Sequence, residues 1–292
     1  MEGRTIVTLA SPGTELAAYT GTSFPVHFGY AAVFEVERKG SGVDDLNLGD
    51  RVFCMGPHRS YQSCAREELV PLPAGLPPEV ALFARLMNVT MTTLHTTRIR
   101  PPEKVLVTGL GIVGNIGAQI FSSCGYEVTA CDPNASRRKI AERSGIPCVL
   151  PGVPIGRTDV EGRVGLVLEC SGHEQAVLDG CRVLRKGGEL VMVGVPWKRL
   201  TDIYAHELLR QVFHRYITLR SGWEWQLPLG AADFQGNSIY GNLAAALGWL
   251  AEGKVRVENL YHAISPSRAQ AAYSRLLEKK GGVLTYVFSW SK

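Results

Sequence analysis

The sequence predicts an α/β protein in which a doubly wound parallel sheet is combined with a second, β-rich region. A glycine-rich turn between an apolar strand and a helix, at 104–124, predicts the start of the parallel sheet. Alternating strand and helix patterns from there to residue 220 predict its continuation. Short strands with Gly and Pro between them, before residue 78, predict the β-rich region.

The elements follow in order along the chain. Strand patterns precede a helix at 78–97, and further strands, another helix at 243–253, a helix that begins at 269 and a strand at 283–290 come later. The early strands are predicted at 4–10, at 32–38, within 48–55 and within 60–73. The parallel strands are predicted at 104–108, 127–131, 165–169, 189–194 and 217–220. The last elements resemble the β-rich region, which indicates that the chain returns to it.

The turn after the strand at 104–108 has the pattern G-x-G-x-x-G, which is typical of a dinucleotide site when a helix follows. Gly109 suits a tight turn, Gly111 leaves room for a pyrophosphate, and Gly114 lets the helix approach the strand. The phosphates are then expected at the helix N-terminus. The predicted contact residues are Gly109, Leu110, Gly111, Ile112, Val113 and Gly114.

Asp132 ends the next strand, about twenty residues beyond the glycines, and predicts NAD as the cofactor. Its carboxylate would accept hydrogen bonds from the ribose hydroxyls and repel a 2′-phosphate. Arg137 and Arg138 follow and leave an alternative open, because they could pair with a phosphate. We favour solvated residues of the next helix, with Arg137 near the ribose.

The strands predicted at 165–169 and 189–194 are expected to end at the same edge of the sheet as the glycine-rich turn, where open α/β sheets bind ligands. Small residues stand at both strand ends, and their backbone groups could contact the nicotinamide half of the cofactor. As an alternative, Gly172 and Gly194 are turn residues only. The predicted contacts are Cys170, Ser171, Gly172, Gly194 and Val195.

Composition excludes several classes of protein. The 292 residues are 45% hydrophobic and 20% charged, as in globular proteins, and suffice for two domains. A net charge of +4 is too small to indicate nucleic-acid binding. We expect a cytoplasmic protein, because the sequence shows neither a membrane-spanning run nor a signal-peptide core. The seven cysteines have no C-x-x-C spacing and are expected to be reduced.

Eight features spread over nearly the whole chain carry a resemblance to a known family: SPGTE at 11–15, FPVHFGY at 24–30, LGDRV at 48–52, VTGLGIVG at 107–114, Asp132 with Arg137, LVLECSG at 166–172, KGGELVMVG at 186–194 and LLEKKGGVLTYVF at 276–288. With these features the chain resembles the medium-chain dehydrogenase/reductase family. The resemblance implies a GroES-like catalytic domain at 1–98 and 223–292, shortened at its N-terminus. It also implies a Rossmann NAD-binding domain at 99–222 and a homodimer.

The resemblance also shows where this chain departs from zinc-dependent members of the family. The places of the three catalytic zinc ligands correspond to Pro12, Tyr30 and Asn88, which lack thiolate or imidazole groups. The four-cysteine structural zinc lobe has no counterpart. Cys54, His58 and Cys64 are an alternative ligand set, although a buried thiol or a surface imidazole is the simpler interpretation. We therefore predict that the protein uses no metal.

Without zinc, hydrogen bonds or protein charge must stabilise the developing alkoxide. The predicted catalytic residues are Thr14, which matches the family's proton-relay hydroxyl, Tyr30 and Asn88. Alternatively Thr14 caps a turn and Tyr30 is simply packed. Weaker candidates are Glu15, His58 and His95, and Trp223 and Trp225 either line a substrate entrance or belong to the core.

The predicted function is NAD-dependent hydride transfer between the nicotinamide and an alcohol or carbonyl compound, without catalytic zinc. One alternative is an NADPH-dependent quinone or enoyl reductase, for which Asp132 is unfavourable. Another is a dinucleotide-binding protein without catalytic activity. The expected partner is a small-molecule substrate, with neither nucleic acid nor membrane involved.

Overall fold

A computed structural model describes residues 1–22, 24–279 and 282–290. The chain forms two compact units. The first unit comprises residues 1–86, 229–253 and 257–292, and the second comprises 87–228 and 254–256. These divisions fall at 86/87 and 228/229, whereas the sequence predicts domain boundaries at 98/99 and 222/223.

The described strands and helices are numbered in chain order. The strands are β1 (Glu2–Leu9), β2 (Ala32–Arg38), β3 (Arg51–Cys54), β4 (Tyr61–Ser63), β5 (Leu69–Pro71), β6 (Lys104–Thr108), β7 (Glu127–Cys131), β8 (Val149–Leu150), β9 (Val164–Glu169), β10 (Leu184–Met192), β11 (Thr218–Ser221), β12 (Tyr261–Ile264) and β13 (Thr285–Ser289). The α-helices are α1 (Pro12–Tyr19), α2 (Pro78–Ala81), α3 (Ala84–Thr96), α4 (Ile112–Ser123), α5 (Ala135–Arg143), α6 (Glu174–Val183), α7 (Ala205–Arg215), α8 (Ile239–Ala251) and α9 (Ala269–Leu277).

The first unit is built on a sheet with the strand order β12-β13-β1-β2-β3-β5, and β4 also pairs with β1. Its pairs are antiparallel except for β12 with β13, which are parallel. The C-terminal strand β13 pairs directly with β1, so the end of the chain returns to the first sheet as predicted. A core cluster that includes Tyr273 and Tyr286 packs near this junction.

The second unit contains a parallel sheet with the strand order β11-β10-β9-β6-β7-β8. This order places the first strand of the unit, β6, in the middle of the sheet, as in a doubly wound fold. Buried Val and Leu side chains of β9 and β10 fill its core. The predicted doubly wound parallel sheet is therefore confirmed.

Several element boundaries differ from the sequence prediction. The helix predicted at 78–97 consists of two helices, α2 and α3, separated by Leu82 and Phe83. Strand β10 begins at Leu184 rather than at 189 and ends at Met192. The helix predicted from 269 ends at Leu277. Lys280 and Gly281, two residues of the last segment that resembles the family, lie outside the described part of the chain.

Candidate functional site

The glycine-rich loop connects β6 to α4, and its three glycines differ in what they allow. Gly109 has φ +85°, a conformation that side chains rarely adopt. A Cβ atom at Gly114 would lie 1.8 Å from the carbonyl oxygen of Gly109, so this close approach of helix and loop requires glycine. A Cβ atom at Gly111, the N-cap of α4, would meet no described protein atom within 4 Å. The space beside Gly111 is thus open to a ligand.

Asp132 follows β7 and holds the glycine-rich loop. Its side chain is 3% exposed, and its Oδ2 atom accepts a hydrogen bond of 2.8 Å from the backbone N–H of Leu110. Oδ1 accepts a second bond of 2.8 Å from the N–H of Asn134. Each carboxylate oxygen has further lone pairs that could accept hydrogen bonds from a ribose diol. The predicted acidic residue therefore lies beside the glycine-rich loop.

The two arginines that follow Asp132 lie in α5 and both turn back towards the end of β7. The Nη1 atom of Arg137 lies 3.4 Å from Oδ2 of Asp132. Arg138 donates 2.8 Å bonds to the carbonyl oxygens of Asp132 and Pro133. Neither is simply a solvated helix residue: Arg138 bonds to the end of the strand, and Arg137 lies beside the carboxylate of Asp132.

The ends of β9 and β10 lie side by side at the same edge of the sheet. A Cβ atom at Gly194 would come within 2.4 Å of the backbone nitrogen of Gly172. A Cβ atom at Gly109 would come within 2.8 Å of Ser171, so the glycine-rich loop also contacts this segment. The structure thus brings together the predicted cofactor contacts Cys170, Ser171, Gly172, Gly194 and Val195 with the loop at 109–114.

Glu169, which the sequence analysis missed, organises these strand ends. It is fully buried and accepts backbone hydrogen bonds from Ser171 at 2.7 Å and from Gly172 at 3.1 Å. The hydroxyl of Ser171 also bonds to it. Burial raises the pKa of the Glu169 carboxyl, and these hydrogen bonds oppose that effect. The available signal was an acidic residue at the end of an otherwise apolar strand, VGLVLE.

In the first unit, Tyr30 lies in a cluster of polar groups. Its hydroxyl is hydrogen-bonded to the hydroxyl of Ser11, and the hydroxyl of Thr14 is near enough to lower the pKa of Tyr30. The guanidinium carbon of Arg85 lies 4.5 Å from the centre of the Tyr30 ring. Burial raises the pKa of Tyr30, while the Ser11 bond, the charge of Arg85 and the Thr14 bond lower it. Thr14 and Tyr30, two of the three predicted catalytic residues, are therefore in contact.

Glu15 belongs to a second, buried network of the first unit. Its side chain is 2% exposed and accepts a 2.6 Å bond from the hydroxyl of Tyr273. His58 lies 3.4 Å from the same carboxylate oxygen, and its Nδ1 atom lies 2.7 Å from the hydroxyl of Thr8. Burial and the charge of Glu15 raise the pKa of Tyr273. Glu15 and His58 thus have structural partners that account for their positions.

Asn88, the third predicted catalytic residue, lies in the second unit. It is fully buried in α3 and donates a 3.0 Å hydrogen bond to Glu224. Trp223 and Trp225 expose 67% and 45% of their surfaces, so the alternative that both are core residues is wrong. His95 is exposed in the last turn of α3.

Three residues were predicted to stand at the places of catalytic zinc ligands, and their side chains do not fit that metal. Pro12 has no ligating atom, the Tyr30 hydroxyl bonds to Ser11, and the Asn88 amide bonds to Glu224. Across the described residues, no group of three His, Cys, Asp or Glu side chains is placed to hold a metal ion. The alternative ligand His58 is directed to Thr8 and Glu15.

Sequence reasoning also missed Ser11 and Arg85. Ser11 belongs to the segment that resembles the family, but nothing in its pattern indicates that its hydroxyl meets Tyr30. Arg85 is 4% exposed at the second position of α3, fifty-five positions beyond Tyr30. A basic residue inside the apolar run ALFARLM was the available signal.

Comparisons with known proteins identify relatives of the chain. Residues 113–225 match the family model for zinc-binding dehydrogenases. A sorbitol dehydrogenase of Halalkalibacterium halodurans is 26% identical over 63% of this chain. The match covers 66% of that dehydrogenase, just under two thirds of its length. An L-threonine 3-dehydrogenase of Chelativorans sp. is 27% identical over 68% of this chain and 72% of its own.

The fold is also shared with solved structures. Galactitol-1-phosphate dehydrogenase from Escherichia coli superimposes with a TM-score of 0.81 at 18% identity, covering 99% of this chain and 92% of that one. This likeness confirms the predicted combination of a Rossmann sheet with a GroES-like β-rich region. In the part of the chain that the structure describes, we find no helix long and apolar enough to cross a membrane.

Proposed function

The chain belongs to the alcohol-dehydrogenase-like medium-chain dehydrogenase/reductase family, and on that basis we propose that it is a nicotinamide-dependent oxidoreductase. When bound, the nicotinamide dinucleotide would supply or accept the hydride exchanged with an alcohol or carbonyl compound. The observation that carries the proposal is the open space at Gly111, bordered by the N-terminus of α4 and by the loop that Asp132 holds. These groups fit a pyrophosphate and an adenosine ribose.

We propose NAD rather than NADP as the preferred cofactor. Asp132 is buried and ionisable at the place where a 2′-phosphate would have to approach, so the two negative charges would repel each other. Arg137 lies at 3.4 Å from this carboxylate and is already engaged by it. Its charge is therefore directed to Asp132 rather than to an incoming phosphate.

We further propose that the reaction proceeds without catalytic zinc and that Tyr30 and Thr14 contact the substrate oxygen. In carbonyl reduction, the Tyr30 hydroxyl would donate its proton to that oxygen as the carbon accepts hydride, and water would then reprotonate the tyrosinate. In alcohol oxidation the proton would move the other way. Thr14, which is exposed and close to the Tyr30 hydroxyl, would orient the phenol or carry the proton towards solvent. Asn88, in the second unit, stays a predicted catalytic residue.

Cofactor titration tests the first part of this proposal. Purified protein would be titrated with NADH and with NADPH while nicotinamide fluorescence is followed, and we expect NADH to bind at least about tenfold more tightly. A preference for NADPH would overturn the cofactor assignment and favour a quinone or enoyl reductase.

A substrate screen tests the catalytic part. Sugars, polyols and aryl alcohols would be assayed by NADH formation, with elemental analysis of the same sample. Turnover in metal-free protein, lost in Tyr30→Phe, is the expected result. Stoichiometric zinc would contradict the metal-free mechanism. Tight NADH binding without turnover of any tested alcohol or carbonyl compound would instead indicate a dinucleotide-binding protein.

We also propose that the protein forms a homodimer through an apolar surface of the second unit, which we call the α7 surface. Its six large side chains expose between 54% and 82% of their areas: Trp197, Leu200, Tyr204, Leu209, Phe213 and Tyr216. At about 150–250 Å² for a large side chain, they offer on the order of 800 Å², which is about what each partner buries in a standard interface. Leu209 and Phe213 lie four residues apart in α7 and so share one face of the helix, and large exposed apolar patches are unusual for a monomer.

The neighbouring β11 is an end strand of the parallel sheet, which favours a second copy of the same chain as the occupant. End strands present unpaired backbone groups, and a two-fold axis lets one strand pair with its own copy. Sedimentation should show a dimer that Phe213→Glu dissociates. The matched control is Phe234→Glu, an exposed Phe of the first unit, which should leave the dimer intact. A monomeric wild-type protein would contradict the proposal.

A further inference from the structure

We infer that Arg85 is a positioning residue that stabilises negative charge on Tyr30 and so supplies, in protein form, the positive charge that a metal ion supplies in zinc-dependent relatives. The inference rests on the proposed role of Tyr30. Arg85 is 4% exposed, and its guanidinium lies over the Tyr30 ring at 4.5 Å from the ring centre. Cations bind aromatic faces at this distance, and more strongly where water is excluded.

Four named groups face the Tyr30 phenol. Ser11, between β1 and α1, and Thr14, in α1, contribute neutral hydroxyls that lower the pKa of Tyr30, and the Ser11 hydroxyl is hydrogen-bonded to the phenol oxygen. Glu15, also in α1, contributes a negative charge, and Arg85, in α3, contributes a positive one. Of these groups, Glu15 disfavours a tyrosinate and Arg85 favours it.

The balance of these effects sets the pKa of Tyr30 and the stability of the tyrosinate. Burial and Glu15 raise the pKa of Tyr30, so the phenol is protonated at neutral pH and can donate its proton to a carbonyl oxygen. The tyrosinate that this transfer leaves is a buried anion, which is costly unless a cation is close. Arg85 lowers the pKa of Tyr30 and therefore stabilises the tyrosinate in both reaction directions.

Arginine suits this position for two reasons. Its guanidinium stays charged at any pH at which the enzyme works, so it does not compete with Tyr30 for the proton. Its planar face also stacks on an aromatic ring, whereas the compact ammonium of lysine does not. We therefore expect Lys to substitute only in part.

The test compares Arg85→Gln, Arg85→Met and Arg85→Lys with wild type in the full chain, with pH profiles of kcat for alcohol oxidation. Wild-type kcat should rise with pH as Tyr30 loses its proton more easily. In Arg85→Gln and Arg85→Met we expect kcat at neutral pH to fall about 10–100-fold and the rise to move at least about one pH unit higher, since a nearby opposite charge shifts a pKa by this order. Arg85→Lys should lie between, and added guanidinium ion should restore part of the loss in Arg85→Met.

Two controls separate this effect from structural damage. Affinity for NADH should be unchanged in these variants, and Arg98→Met, which removes an exposed charge later in the chain, should leave the pH profile as in wild type. If Arg85→Gln and Arg85→Met fail to fold, the Arg85→Lys profile and an ultraviolet titration of tyrosinate, with Tyr30→Phe as the blank, decide the question. The titration should place the Tyr30 pKa higher in Arg85→Lys than in wild type.

The outcomes distinguish the inference from the function on which it rests. Full turnover in Tyr30→Phe would contradict the role of Tyr30 itself. The inference about Arg85 would be overturned, with Tyr30 still catalytic, by a different pair of results. Tyr30→Phe would lose turnover, while the Arg85 variants would keep the wild-type pH profile and the wild-type tyrosinate titration.

Discussion

The two units carry their candidate sites in different ways. In the second unit the site is made chiefly by backbone: glycines that permit close approach, strand ends that meet at one sheet edge, and the N-terminus of α4. In the first unit it is made by side chains from distant segments, with Tyr30 meeting Ser11, Thr14 and Arg85. A backbone site needs particular residues at fixed local spacings, whereas a side-chain site can change its chemistry on the same scaffold.

This difference would let the first unit keep a GroES-like fold with Pro12, Tyr30 and Asn88 at the places where the sequence analysis predicts that zinc ligands have been replaced. The strands β1 and β2 place Pro12 and Tyr30 by pairing and packing, which do not depend on the ligands themselves. Replacement of the ligands therefore leaves the sheet intact. The glycine-rich loop has no such freedom, because a side chain at Gly114 would collide with the loop backbone.

The largest effect should come from Gly114→Ala. The added Cβ would lie 1.8 Å from the carbonyl oxygen of Gly109 and 3.2 Å from Cβ of Cys170, so backbone must move. We expect the free energy of unfolding to fall by at least about 3 kcal/mol, at or beyond the upper end for overpacked sites. Chemical denaturation followed by circular dichroism measures this loss. If Gly114→Ala is as stable as wild type, α4 and the glycine-rich loop are less tightly packed than the structure indicates.

Gly111→Ala should separate cofactor binding from folding. Its Cβ meets no described protein atom within 4 Å, so we expect the free energy of unfolding to change by less than about 1 kcal/mol. The same methyl group would occupy the space proposed for the pyrophosphate. Affinity for NADH should therefore fall about 10–100-fold, or about 1.4–2.8 kcal/mol, measured by fluorescence titration.

The matched control for Gly111→Ala is Gly152→Ala. Gly152 is also free of neighbours within 4 Å but is an exposed residue beyond β8. Its substitution should alter neither stability nor affinity. Equal NADH binding by wild type and Gly111→Ala would mean that the dinucleotide does not pass beside this glycine. The proposed position of the pyrophosphate would then be wrong.

The sequence predicted the second unit well because its signals are local. Strands β6 and β7 have the predicted bounds, since each is a short, mainly apolar run that ends one residue before a predicted cofactor contact, Gly109 or Asp132. The prediction was poorer for β10, whose first residues include Lys186, Gly187 and Gly188. These residues have low strand propensity, and they fall where the pairing with β9 shifts register, between the pairs Leu184–Val164 and Glu189–Leu166.

The first unit's site was predicted only in part. Thr14 and Tyr30 could be placed by resemblance, but Arg85 and Ser11 could not, because their meeting with Tyr30 depends on how β1, β2 and α3 pack. A pattern within one segment carries no information about such contacts. The bounds of α2 and α3 show the same limit, since the apolar run at 78–97 gives no signal for the break at Leu82 and Phe83.

Asp132→Asn should sharpen the cofactor assignment. The amide oxygen of Asn can still accept one backbone hydrogen bond, but the negative charge that would repel a 2′-phosphate is lost, and Arg137 is released. We expect the ratio of NADH to NADPH affinity to fall about 10–100-fold. The control is Asp159→Asn, which breaks a surface pair with Arg157 at 2.7 Å and should not change the ratio. An unchanged ratio in Asp132→Asn would remove Asp132 as the selective residue.

The last prediction concerns two buried tyrosines of one core cluster in the first unit, Tyr273 and Tyr286, which should differ in their contribution to stability. The Tyr273 hydroxyl donates to Glu15, whose other carboxylate oxygen is buried without a hydrogen-bond partner among the described residues. Tyr273→Phe should therefore lower the free energy of unfolding by about 1.5–3 kcal/mol, as for a lost bond to a charged group.

The Tyr286 hydroxyl is buried and has no hydrogen-bond partner within the described ranges, so its removal loses nothing and relieves an unsatisfied polar group. Tyr286→Phe should leave the free energy of unfolding unchanged or raise it by up to about 1 kcal/mol. Both changes remove one hydroxyl from a ring in the same cluster, so denaturation midpoints compare them directly. Equal destabilisation by the two variants would show that the Glu15 network contributes no more than an isolated hydroxyl. The first unit would then depend on packing alone around Glu15, and the contrast between backbone and side-chain sites would be confined to Tyr30 and its neighbours.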